Sequence, residues 1–155
     1  MRQLLQNTIG QNDVVALRVA DQDYCIDIDV VREIRGWQPT TVLPHAPTHV
    51  TGVINLRGAV VAVIDLAARL GLGRTVPTPR NVVVIVTLGD QTVGLLADLV
   101  SDILAVDEKT VKPVPEVASD SSRGLITNVI TLDDGRMLRK LDLGDILPKR
   151  GGEGT

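Results

Sequence analysis

No phenylalanine occurs anywhere in the 155 residues, and the remaining aromatics are one tryptophan, Trp37, and one tyrosine, Tyr24. Two rings so placed cannot form a base-stacking platform. A formal charge of -3 supplies no basic field to hold a polyanion, so nucleic-acid binding is disfavoured. One cysteine, Cys25, excludes a disulfide within the chain and fits a reducing compartment. No His, Lys or Arg adjoins it in sequence to activate its thiol. The opening residues are too polar, and their apolar part too short, for a secretory leader, so a cytoplasmic location is expected.

Long uninterrupted apolar runs are also missing. The nearest approach is GVINLRGAVVAVIDLAARLGL at 52–72, which Asn55, Arg57, Asp65 and Arg69 punctuate. A spanning helix needs about 20 predominantly apolar residues, so this is no membrane segment. It divides into a strand at 52–54, a turn at 55–58, a strand at 59–64 and a short helix. Asp65 is placed as that helix's N-cap and Gly71 as its end. Arg57 then stands at a loop tip between two strands.

What is abundant is Val, Ile and Leu. Hydrophobic residues make up 44% of the chain with almost no aromatics among them, so β-branched side chains must fill the core and strands are favoured. Displacing the sequence by 69 positions lays VVALRVADQDYCIDIDVVREI, from Val14, over VVIVTLGDQTVGLLADLVSDI, from Val83, without a gap. Val14, Val15, Asp21, Gln22, Asp29, Val31 and Ile34 meet identical residues, and Glu33 meets Asp102. After a small insertion, GAVVAVIDL from Gly58 matches GRMLRKLDL from Gly135. Each repeat reads as a strand, a turn on Asp-Gln, a returning strand, an extended segment and a final hairpin ending in Asp-Leu. About five short strands used twice, separated by Gly and Pro, predict two small barrels.

Val31-Arg32-Glu33-Ile34, the Gly52-Val53-Ile54-Asn55-Leu56-Arg57-Gly58 turn with Val63-Ile64-Asp65-Leu66 behind it, and Val93-Gly94-Leu95-Leu96-Ala97-Asp98 resemble the CheW-like adaptors of bacterial chemotaxis. The resemblance implies a mainly β chain of two pseudo-repeated five-stranded SH3-like barrels with short helices. It covers one domain over 13–147, with lobe 1 at about 13–72, lobe 2 at about 81–147, a linker at 73–80, and flexible tails at 1–12 and 148–155. It further implies a non-catalytic adaptor between chemoreceptor cytoplasmic tips and the C-terminal regulatory domain of the histidine kinase CheA. Recruitment to membrane-associated arrays and self-association there are part of the same expectation. Other kinase pathways, such as gliding or pilus motility, use the same family. A ligand-binding regulatory barrel or an uncharacterised hydrolase is the competing class.

Candidate partner-binding residues are Val31, Glu33, Trp37, Gly52, Arg57, Gly58, Val83 and Gly94. If 31–34 is extended, Val31 and Glu33 share one face, apolar and acidic together. Arg57 has a plainer alternative, capping its own turn or pairing with a nearby acid, and Trp37 can be a core plug under a Gly-Pro loop. Val83 can equally be core. His45 and His49 stand four apart, yet no carboxylate or thiol falls at motif spacing and Pro47 disturbs the turn, so no metal or other cofactor is expected. No nucleophile, base and orienter assemble from spacing, and the glycines form no phosphate-binding loop. Two departures from the family pattern stand out: Ser122-Arg123-Gly124-Leu125 where an aromatic is usual, and cations Arg139 and Lys140 in the last strand.

Overall fold

The computed structural model describes residues 13–115 and 124–148. The tail expected at 1–12, all of the tail expected at 148–155 except Pro148, and Ser122-Arg123 lie outside them. Repeat one contributes β1 (Asp13–Val19), β2 (Gln22–Asp27), a 3-10 turn (Ile28–Val30), β3 (Val31–Gly36), β4 (Val50–Leu56), β5 (Ala59–Asp65) and α1 (Leu66–Arg69). Repeat two contributes β6 (Val82–Leu88), β7 (Gln91–Ala97), β8 (Leu99–Ala105), a 3-10 turn (Glu108–Thr110), β9 (Val111–Pro113), β10 (Ile126–Thr131), β11 (Met137–Leu141) and α2 (Leu143–Ile146). The mainly β, twice-repeated fold expected from the sequence is borne out.

The predicted helix start is realised by Asp65, whose carboxylate accepts the N–H groups of Ala67 and Ala68, and Gly71 follows the helix with φ 76°. Asp142 caps α2 in the same way through Gly144.

Strand pairing does not follow the repeats. One sheet runs β8-β1-β2-β11-β10-β9 and the other β3-β6-β7-β5-β4. Each repeat therefore lends its first hairpin to a sheet otherwise built by the other repeat. The lobes expected at 13–72 and 81–147 need correction on this point, because the linker at 73–80 divides the repeats and not the sheets. The first sheet also has six strands where five were expected. Its extra strand, β9, pairs with β10, and its counterpart in the other sheet is a single bridge between Thr41 and Val53.

The exchange explains why the first hairpins are apolar on both faces. Along β1, Val15, Leu17 and Val19 enter the large core, while Val14 and Ala16 enter a small one with Cys25, Ile130 and Leu138. Along β6, Val84 and Val86 enter the same large core, while Val83 and Ile85 enter a second small one with Ile54, Leu56, Val61, Val63 and Leu96. The large core thus lies between the sheets, and each sheet encloses a small core on its far side. Where β11 meets β2 the two are parallel, and the unusual cations reinforce the seam. Arg139 donates to the Asp23 carbonyl at 3.2 Å and stands 5.5 Å over the Tyr24 ring, and Lys140 pairs with Asp27 at 3.1 Å.

Candidate partner-binding site

The predicted turn is a two-residue hairpin loop between the paired Leu56 and Ala59. Arg57 and Gly58 have φ of 53° and 89°, the mirror-image turn whose twist suits a hairpin. Glycine adopts that geometry freely, whereas an arginine does so at a cost. Asn55 holds the loop by accepting the Gly58 N–H at 2.9 Å. The side chain of Arg57 leaves the loop 68% exposed and reaches Glu33, Nη2 to Oε2 at 2.5 Å.

Glu33 lies in β3 and Arg57 follows β4, and these are the two outer strands of their sheet. The ion pair therefore draws opposite edges together and rolls the sheet toward a closed barrel. The other oxygen of Glu33 accepts from Arg35 Nη1 at 2.9 Å. Hydrogen bonds from Arg57 and then Arg35 hold the Glu33 carboxyl below its ordinary range, and the Arg57 guanidinium is raised in turn. Sequence reasoning missed Arg35. Its position two residues from Glu33 on a strand was the available signal.

Val31 and Glu33 do not share a face. A bulge between them sets Val31 opposite Val86 and Glu33 opposite the adjacent Ile85, and these partners point into different cores. One extra residue reverses the alternation. Val31 is consequently buried in the large core, and it is Glu33 and Arg35 that line up with Trp37. The Trp37 side chain, part-buried, packs against the small core of this sheet, so it is partly core plug and partly surface, and its backbone N–H donates to the Asn81 carbonyl at 3.0 Å.

Gly52, Val83 and Gly94 lie inside. A Cβ on Gly52 would sit 2.6 Å from the Thr41 carbonyl oxygen, so the close approach expected there is made by the chain's own 40–41 segment. A Cβ on Gly94 would come within 2.6 Å of Val83 Cγ1. Both residues were expected at contacts with a partner, but they face one another in the interior. The surface that remains combines Arg57, Gly58, Glu33, Arg35 and the exposed part of Trp37, with Val60, 73% exposed, just past the turn.

Nothing in this arrangement is a catalytic grouping: it is a charged, half-apolar barrel end. Among the described residues no group of three or more His, Cys, Asp or Glu could hold a metal ion, and no helix is long and apolar enough to cross a membrane. Residues 13–150 match the family described as the CheW-like domain. The chain belongs to that family. Other CheW-like chains are close in sequence. A chemotaxis protein CheW of Rhizobium meliloti is 45% identical over 141 residues, 91% of this chain and 90% of that one. A probable chemotaxis protein CheW of Rhizobium etli is 46% identical over 134 residues, 86% of each. The solved scaffolding protein CheW of Thermoanaerobacter tengcongensis superposes with a TM-score of 0.80 at 28% identity, covering 92% of both chains.

Proposed function

We propose that this CheW-like chain is a non-catalytic coupling protein of bacterial chemotaxis, joining the cytoplasmic tips of chemoreceptors to the histidine kinase CheA. The observation that carries the reading is Arg57, an arginine held at a turn position that favours glycine and extended into solvent from a barrel end. An exposed ion pair adds little to stability on its own, so a costly backbone there is better accounted for by recognition. Part-buried Trp37, packed on the same small core as Leu56 before the turn, supplies an aromatic anchor, and the charges set register when a partner covers them.

In this reading the arginine end meets the C-terminal regulatory domain of CheA, and receptor tips are received in the groove between the barrels. The protein works in the cytoplasm and is recruited to membrane-associated receptor arrays, where many modest contacts combine. Purified receptor tips, CheA and this chain, mixed in the presence of ATP, test it. Kinase autophosphorylation should come under receptor control only when the chain is added. Output unchanged by the folded protein, with no complex on gel filtration, would refute the coupling role.

A further inference from the structure

The arginine end holds two guanidinium groups and one carboxylate. Glu33 and Arg35 are two residues apart on β3, and their ladder partners Ile85 and Val83 both point into the small core of this sheet. Their side chains therefore emerge on one face. Oε1 of Glu33 accepts from Nη1 of Arg35 at 2.9 Å, and Oε2 accepts from Nη2 of Arg57.

The three groups differ in freedom. The Arg57 side chain is 68% exposed, that of Arg35 35% and that of Glu33 24%. Arg57 can leave by turning its side chain outward, whereas Glu33 cannot follow it. A largely covered carboxylate left without a cation is costly. Arg35, on the same strand, stays beside it and has a donor to spare: among the described residues its Nε is a buried side-chain nitrogen with no hydrogen-bond partner. A guanidinium that turns Nε–H and the neighbouring N–H toward a carboxylate makes the two-bond fork that matches both oxygens. Such a turn gives the buried Nε its missing acceptor. It is blocked while Arg57 occupies Oε2.

We propose that Arg35 is the positioning residue of this end: when Arg57 turns to an acidic side chain of the partner, Arg35 closes on both oxygens of Glu33. The partner's carboxylate follows from charge. Two cations on one carboxylate leave the group positive, and the exposed Arg57 carries that charge outward. Once covered, it needs an anion, since a cation without one is a penalty that rejects other surfaces. With CheA's regulatory domain as the partner, this part of the inference rests on the function proposed above. The movement of Arg35 does not.

The first measurement needs no partner. Spectra of the arginine Nε–H groups are recorded for the isotope-labelled full chain and for Arg57→Gly. Removing Arg57 vacates Oε2, so the Arg35 Hε resonance should move downfield and exchange more slowly with water. A resonance unchanged in Arg57→Gly would overturn the proposal. The second measurement is calorimetric titration with the CheA regulatory domain. Arg35→Gln leaves Glu33 to Arg57 alone, so binding should weaken about tenfold. Adding Glu33→Gln removes the carboxylate that retains Arg57 and should recover the loss. Arg35→Lys keeps the charge without the fork and should remain weak. A merely structural Arg35 would give losses that add, and additive losses would overturn the proposal. If the Arg35 variants fail to fold, the Hε resonance in Arg57→Gly still decides. If the wild-type chain does not bind the CheA domain, the coupling role falls, and the same resonance decides the role of Arg35.

Discussion

Arg57 and Glu33 join the two outer strands of one sheet, and Arg35 occupies the carboxylate oxygen that Arg57 leaves. Because Glu33 keeps a second cation, the pair can be opened without stranding its charge. Arg57→Gly should therefore be tolerated by the fold: it loses an exposed ion pair but relaxes the turn. The melting temperature is expected to stay within about 3 °C of wild type. Binding to the CheA regulatory domain, measured by calorimetric titration, should fall steeply. Full binding with a markedly lower melting point would make the arginine a clamp on its own barrel.

Acid should weaken this ion pair in a defined direction. The folded-state carboxyl of Glu33 lies below its ordinary value of 4.5, chiefly through the Arg57 hydrogen bond. A depressed carboxyl contributes stability that is present above the unfolded value and lost as pH falls through the folded one. Urea melts of wild type and Glu33→Gln should thus differ most above pH 4.5 and converge in more acidic buffer. A gap that widens on acidification would contradict the assignment.

Gly94 and Val83 are matched in size. Gly94→Ala brings a methyl to 2.6 Å from Val83 Cγ1, and overpacking of this kind costs about 1–3 kcal/mol. Adding Val83→Ala should recover part of that loss, giving a favourable coupling energy in a double-mutant cycle. Simple additivity of the two losses would place their side chains apart.

Cys25 is fully buried in the small core of the first sheet, and burial pushes its thiol up to about 12. Its reaction with a thiol reagent should proceed only through unfolding, at a rate that rises with denaturant as global opening does. Fast labelling of the native protein would indicate a local opening of β2.

Neither half of the chain can complete a sheet. Fragments 13–76 and 77–148 should each be largely unfolded alone and regain the native β-sheet circular dichroism when mixed in equal amounts. A native-like spectrum from either fragment alone would mean that a half can complete its own sheet.

Features set by neighbours in sequence were legible beforehand. The strand pattern, the Asp65 cap, Gly71 and the hairpin at Arg57 follow from alternation and turn chemistry, and the displacement of 69 exposed the repeat. What depended on distant pairing was hidden. Both repeats have one pattern, so nothing local says whether a hairpin joins its own repeat or the other. The bulge at Val31 and Glu33 reversed a face that alternation had assigned. Gly94 looked like a contact residue until Val83 was found against it, and Arg139 and Lys140 seemed misplaced until Asp23, Tyr24 and Asp27 were found across the seam.

The exchanged hairpins also bear on how a coupling protein conveys a signal. Backbone passes from the first sheet to the second through Ile28–Val30 after β2, and returns through Asp98 alone between β7 and β8. Connections so short have no slack. A tilt that a partner imposes on the first sheet is carried by continuous chain through Asp98 into β7, the middle strand of the other. The molecule then behaves as a stiff lever, and a load at either end is felt at the opposite end as orientation.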